Sequence, residues 1–150
     1  MKTNISAIAP ENIIKIWHKV APLLEKATDK DSIITLEDIF NQLYTYNTAL
    51  LWIVWDKKNT DTIISAMLTS ILGTKESGGP VLTMYCLGGT DKGSWLEHFN
   101  FVEKYAIDND CNEMRVIDGR KGWEKDFKKL GLNTIRYTYS KKIGLKENEN

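Results

Sequence analysis

The sequence is poor in cysteine and in net charge, and each scarcity excludes a class of protein. Cys86 and Cys111 are the only two cysteines, too few for a disulfide scaffold, so we expect reduced thiols in a cytoplasmic protein. Lysine plus arginine (20) equals aspartate plus glutamate (20), so no net charge attracts nucleic acid or an acidic membrane. With 42% hydrophobic residues in 150, the sequence predicts one globular domain, residues 1–142, and a polar tail, residues 143–150.

Long apolar runs are also missing. The longest stretches, residues 49–55 and 63–72, are far shorter than the roughly 20 residues of a spanning helix. The first ten residues, MKTNISAIAP, lack the apolar segment of a secretion signal. We therefore expect neither membrane insertion nor export.

Common catalytic signatures are absent from the sequence. The two histidines, His18 and His98, each lie in a predicted helix without a second histidine four residues later, so no metal site is expected. There is no Gly-x-Ser-x-Gly motif, and neither cysteine stands in a nucleophile signature. Hydrolase chemistry therefore has no visible anchor.

The spacing of apolar residues predicts alternating groups of strands and helices. Strands are expected at 3–9, 49–55, 62–72, 81–87, 113–118 and 133–142, and helices at 11–27, 35–46, 95–110 and from about 120 to 130. Thr35 is the expected N-cap of the second helix, and Gly131 suits the left-handed position after the fourth. This order predicts an α/β (α+β) fold with a mixed, mostly antiparallel sheet and helices on its faces.

The glycines mark a first candidate site. All ten lie from Gly73 onward, and Gly88, Gly89 and Gly93 cluster in a predicted loop between a strand and a helix. Such a junction exposes backbone N–H groups and the positive end of the helix dipole, which favour phosphate oxygens. It is not a Walker loop, because Ser94 and Trp95 stand where lysine and serine or threonine are required. The alternative is a turn that only redirects the chain.

A second candidate site follows the predicted strand 113–118. Arg120 has the chemistry to clamp a carboxylate or phosphate, and Asp118 to orient a substrate or act as a base. In the alternative, these two residues pair with each other and Trp123 is a core residue.

The element order and these two loops resemble the GNAT superfamily of acyl-CoA-dependent N-acetyltransferases. The blocks LLWIVWD, IISAMLTSIL, CLGGTDKGSW and VIDGRKGWEKDFKKLGL are also similar to small GNAT-like proteins encoded by tailed bacteriophages. The resemblance implies a GNAT-like sheet with a splay between its fourth and fifth strands, acetyl-CoA as cofactor and no metal. It also implies a host-cytoplasmic or virion-associated location.

The family's pyrophosphate loop has the pattern Arg or Gln, x, x, Gly, x, Gly or Ala. Gly93 matches its first glycine, whereas Thr90 and Trp95 depart from it. By resemblance, the cofactor-binding residues are Leu87, Gly88, Gly89, Thr90, Asp91, Lys92, Gly93 and Ser94.

The family's fourth-helix pattern can be laid on the segment that ends at Gly131. Lys129 and Gly131 match it. Phe127 stands in place of the tyrosine that often protonates the departing thiolate, and a phenyl ring cannot donate that proton.

Two functions remain open at this level. As an N-acetyltransferase acting on a small-molecule or amine acceptor, the protein would use Tyr85 or Asp118 to take the amine proton and Arg120 to hold the acceptor. The alternative is a non-catalytic phage protein with the same fold, a structural or virion-associated component that contacts other phage proteins. It would use the Arg120 to Trp123 loop or an exposed sheet face.

Overall fold

The computed structural model describes residues 2–28, 34–73, 78–89, 92–117, 123–135, 141 and 143. The chain forms two compact units, Met1–Gly119 and Arg120–Asn150, each described by itself below. The first unit contains the sheet and the three longer helical segments.

The first unit is built on a five-stranded sheet with the strand order β1-β2-β3-β4-β5. The strands are β1 (Thr3–Ile8), β2 (Leu50–Asp56), β3 (Ile63–Leu72), β4 (Val81–Gly89) and β5 (Glu113–Val116). Neighbours from β1 to β4 pair antiparallel, and β4 pairs with β5 in parallel. The predicted mixed, mostly antiparallel sheet is therefore confirmed.

The helices follow the predicted apolar stripes. A 3₁₀ turn at Pro10–Asn12 leads into α1 (Ile13–Glu25), and α2 (Leu36–Phe40) continues as a π-helical turn at Asn41–Thr45. Further along the chain, α3 spans Lys92–Asp108. It begins three residues before the predicted start at Trp95, since Lys92, Gly93 and Ser94 form its first turn.

The N-cap predicted at Thr35 is confirmed. Its Oγ1 accepts a hydrogen bond from the Asp38 amide at 3.1 Å, and its own amide donates to Asp38 Oδ2 at 3.0 Å. Hydrogen bonding of the Asp38 carboxyl with the Thr35 backbone, and to a lesser extent with the Thr35 side chain, holds the pKa of Asp38 below its usual value. This reciprocal pair fixes where α2 begins.

Alternate residues of each strand point to opposite faces of the sheet. Both faces are buried, because helices pack against each of them. On one face, Leu51 and Leu68 pack in a cluster with Val20 and Leu24 of α1. On the other, the Trp52 ring lies 5.4 Å from the ring of Tyr105 in α3. The predicted placement of helices on both faces is confirmed.

The second unit contains α4 (Glu124–Lys129). The chain leaves α4 through Gly131 at φ +90°, with the Leu132 amide donating to Phe127 O at 2.9 Å. The prediction for Gly131 is thus confirmed. Of the predicted strand at 133–142, residues 133–135 and 141 are in neither strand nor helix, and the remaining residues lie outside those described.

Helix α1 crosses β4 at a point where the strand has no side chain. A Cβ atom added to Gly88 would collide with the carbonyl oxygen of Leu23 and lie 2.8 Å from the carbonyl carbon. Both neighbours are backbone atoms in a packed helix, so neither can move as a flexible side chain could. Glycine at this position therefore sets how closely α1 approaches the sheet.

Gly88→Ala should destabilise the first unit, because the new methyl group forces α1 away from β4. Overpacking of this kind typically costs roughly 1–3 kcal/mol. Urea denaturation of the two proteins measures the difference in the free energy of unfolding. An unchanged midpoint would show that α1 does not lie against Gly88.

Candidate active site

The parallel ladder between β4 and β5 is short. Four residue pairs form it, from Val81↔Glu113 to Met84↔Val116. The Ile117 amide adds one hydrogen bond to Met84 O at 2.9 Å. Beyond Met84, β4 runs on to Gly89 paired with β3, and within the described residues no β5 residue pairs with it. Among the described residues, the β4–β5 ladder therefore ends at Met84.

A β-bulge lies just beyond the end of this ladder. Ala66 pairs with Gly88 and Leu68 with Tyr85, so two β4 residues, Cys86 and Leu87, stand opposite Met67 of β3. Cys86 has φ +55°, in the left-handed region that residues other than glycine seldom adopt. Bulges bend a strand and interrupt its ladder, and they are frequent beside active sites.

The predicted glycine loop is wrong in its extent. Gly88 and Gly89 are the last residues of β4, and Lys92 and Gly93 already belong to α3, so only residues 90 and 91 connect strand and helix. β4 continues this far because β3 provides partners, with Gly89 facing Ser65. A Cβ atom on Gly89 would lie 2.7 Å from the Ser65 Cβ, so this glycine too permits a close approach.

The first turn of α3 follows β4 almost directly. The amides of a helix's first turn have no partner within the helix and carry the positive end of its dipole. This first turn contains no acidic residue. Trp95 is only 5% exposed and shares a helical stripe with the buried Phe99 and Val102, as expected of a core residue.

Tyr85, the first residue past the end of the β4–β5 ladder, is tied to the turn after α2. Its hydroxyl donates to Gln42 Oε1 at 2.6 Å and lies 3.3 Å from Ser70 Oγ. Ser70 Oγ in turn donates to the main-chain oxygen of Thr48 at 2.7 Å. The phenol ring is half-buried and packs against the cluster shared with α1 and α2.

Burial raises the pKa of Tyr85 above its usual value near 10, because the charged phenolate loses water. The hydrogen bond with Ser70 opposes this change, and the neighbouring Cys86 adds to it. The phenol therefore keeps its proton at neutral pH, which makes it a hydrogen-bonding group rather than a base.

The structure describes only part of the predicted site. Tyr85, Leu87, Gly88 and Gly89 lie together at the end of β4, with Leu87 half-buried. Outside the described residues lie Thr90, Asp91, Asp118 and Arg120, as do the side chains of Lys92 and Ser94.

Gln42 and Ser70 belong to the candidate site but were not predicted from the sequence. Gln42 looks like any polar residue of an amphipathic helix, and its link to Tyr85 is tertiary. One local signal was available for Ser70, a hydroxyl within an apolar strand on the same strand face as Leu68.

The described residues hold no group of three or more His, Cys, Asp and Glu side chains placed to bind a metal. His98 is buried, with Nε2 2.9 Å from Thr3 Oγ1, a contact that joins α3 to β1. In the part of the chain that is described, no helix has the length and apolar character to cross a membrane.

No protein-family model matches the chain, and no curated protein is similar to it. Solved structures are similar over nearly their whole length. Glucosamine-6-phosphate N-acetyltransferase from Arabidopsis thaliana has a TM-score of 0.66 and 14% identity, covering 95% of this chain and 99% of that one. A predicted acetyltransferase with acetyl-CoA from Clostridium acetobutylicum has a TM-score of 0.64 and 12% identity, covering 95% and 97%.

A third structure, the ribosomal-protein-alanine N-acetyltransferase from Brucella melitensis, has a TM-score of 0.66 and 11% identity, covering 95% of this chain and 100% of that one. At such identities the likeness shows the fold alone. The chain therefore has the GNAT-like fold that the resemblance implied.

The difference in tyrosinate absorbance between the wild type and Tyr85→Phe should titrate with a pKa above 10. Ser70→Ala should raise that pKa further, because the Ser70 hydroxyl, which donates to Thr48 O while the phenol is neutral, can turn to donate to the phenolate and alanine cannot. The group has a raised pKa in the folded state, so its contribution to stability is complete below the unfolded value and disappears as pH rises through the folded value. Above pH 10, the wild type should therefore lose stability more steeply than Tyr85→Phe. A difference titration at or below 10 would contradict this placement of the phenol.

Proposed function

We propose that this protein is an acyl-CoA-dependent N-acetyltransferase that acts on an amine. The observation that carries the proposal is the end of the described β4–β5 ladder at Met84, on the strand that leads to the first turn of α3. In open sheets, ligands bind where neighbouring strands separate. The likeness to acetyltransferase structures supports the proposal at the level of the fold.

The first turn of α3 fits the pyrophosphate of acetyl-CoA. Its amides point out of the helix, it contains no acidic residue, and it begins with Lys92. The two glycines before it allow β4 to lie close to α1 and β3. Trp95 packs within the protein.

Bound acetyl-CoA supplies an acyl group activated as a thioester. The segment Tyr85–Leu87 of β4, past the ladder with β5, is our proposed position for the arm that carries this thioester. The bulge at Cys86 breaks the regular alternation there.

Of the two bases that the sequence suggests, we assign the role to Asp118. Tyr85 has a raised pKa and keeps its proton at neutral pH, whereas a carboxylate is ionised there. Asp118 takes the proton that the amine nitrogen loses as it bonds to the acyl carbon and the C–S bond breaks. Because Phe127 has no proton to donate, water protonates the thiolate. Arg120 is proposed to hold an anionic part of the acceptor.

We further propose that the protein is encoded by a tailed bacteriophage, as the four sequence blocks suggest. A free enzyme in the host cytoplasm is the expected form. A non-catalytic, virion-associated component remains the competing outcome, and the absence of acyl-CoA binding would favour it.

Lys92→Glu should weaken CoA binding by about three- to tenfold, since it places a negative charge at the start of α3. Isothermal titration calorimetry with CoA measures the dissociation constant. Lys104→Glu is the matched control. It makes the same charge change on an exposed part of α3, where Lys104 pairs with Asp108 at 2.9 Å, and should leave the affinity unchanged.

Pantetheine, which lacks the pyrophosphate, should bind both variants equally. Equal loss of CoA affinity in the two variants would mean that general charge, not the α3 turn, governs binding. No CoA binding by the wild type would overturn the proposed function.

Asp118→Asn should lower acetyl transfer roughly 10²- to 10⁴-fold, because the amide cannot accept the amine proton. Thiol release from acetyl-CoA is followed with a panel of amines that includes glucosamine 6-phosphate and an alanine-initiated peptide. Asp108→Asn, a surface change on α3, should retain full activity. Full activity in Asp118→Asn would remove this residue from the mechanism.

A further inference from the structure

Counting hydrogens around Tyr85 shows which of its neighbours donate. The phenol has one hydrogen, and its short 2.6 Å contact with Gln42 Oε1 uses it. Ser70 Oγ also has one hydrogen, and its 2.7 Å contact with Thr48 O uses that. The 3.3 Å contact between the two hydroxyls is therefore left without a hydrogen of its own.

The two hydroxyl oxygens thus form a pair of acceptors. Each directs its hydrogen to another group and keeps lone pairs, and the oxygens stand only 3.3 Å apart. Oxygens so close are best satisfied by a group that brings hydrogens to both. A neutral primary amine fits, because it carries two N–H donors and its own lone pair remains available for attack.

The pair also lies in the appropriate place. Tyr85 is the first β4 residue past the last β4–β5 residue pair, and its hydroxyl lies beside Ser70 of β3. Ser70 is its diagonal neighbour on β3, two residues from the paired Leu68. Both side chains are half-buried, which leaves part of each open to a ligand.

We propose that Tyr85 Oη and Ser70 Oγ accept the two N–H groups of the acceptor amine before it attacks, and that one of these hydrogens passes to Asp118 as the nitrogen bonds to the acyl carbon. Gln42 is a positioning residue that holds the Tyr85 hydrogen away from the amine. This inference rests on the proposed function and names the recognition element for its acceptor. Gln42 is suited to the role because it lies in the π-helical turn Asn41–Thr45, where the Tyr46 amide bonds to Asn41 O at 2.8 Å. Such turns are frequent at functional sites.

Fluorine NMR of trifluoroethylamine tests the proposal without acyl transfer. This weakly basic amine is neutral at pH 8 and has two N–H donors, while its N,N-dimethyl derivative has none. The wild type should give a saturable shift with the primary amine and a much weaker one with the dimethyl compound. Equal binding of the two, or no saturable shift with the primary amine, would overturn the proposal.

Three variants test whether Gln42 positions the Tyr85 hydrogen or only stabilises the fold. Tyr85→Phe removes one acceptor and should weaken binding of the primary amine about three- to tenfold. Gln42→Met has a similar shape without the oxygen, so the phenol hydrogen turns to Ser70 and affinity should fall by a similar factor. Gln42→Glu accepts the same hydrogen and should retain wild-type affinity.

A purely structural role for Gln42 predicts a different result. Amine affinity would then fall as the melting temperature of each variant falls. A Gln42→Glu variant with a lowered melting temperature would lose affinity as well. Equal affinity in Gln42→Met and the wild type would remove Gln42 from the site. CoA titration of the same samples distinguishes the two proposals. CoA binding without amine binding would refute only this inference. Absence of CoA binding by the wild type would refute the proposed function.

Discussion

Within the described part of the chain, β4 is paired on both sides for only the first half of its length, and the candidate site depends on this difference. Its ladder with β5 stops at Met84, whereas its ladder with β3 continues to Gly89. A strand that kept both neighbours would use its main-chain groups within the sheet. Within the described residues, the five residues after Met84 lie beside β3 on one side and beyond the end of the β5 ladder on the other.

The five residues after Met84 form two groups with different roles. Tyr85 and the bulged Cys86 come first, and they carry the polar contacts and the altered backbone of the candidate site. Gly88 and Gly89 follow, and each allows a neighbouring element to approach, α1 in the first case and β3 in the second. The glycines that suggested an anion-binding loop therefore act in packing, because they let α1 and β3 lie close to the end of β4.

The periodicity of the sequence predicted most elements to within a few residues, because each buried face repeats every two or every three to four positions. Thr35 and Gly131 were predictable from local chemistry alone, since a cap and a left-handed residue need no distant partner. The bulge at Cys86 was not, because neither glycine nor asparagine marks it and β3 imposes it through register. The contact between Gln42 and Tyr85 joins residues 43 positions apart, which no local pattern indicates. The same holds for the end of β4, which the strand pattern placed at Leu87 and which pairing with β3 extends.

The central claim is that an acyl-CoA ligand binds on β4 beyond the end of its ladder with β5. The most direct test follows backbone amide chemical shifts of the labelled protein as CoA is added. The account predicts that the largest changes fall on Tyr85–Gly89 and the first turn of α3, with β1 and the distant half of β2 little affected. Changes concentrated elsewhere on the protein, or none at saturating CoA, would contradict it.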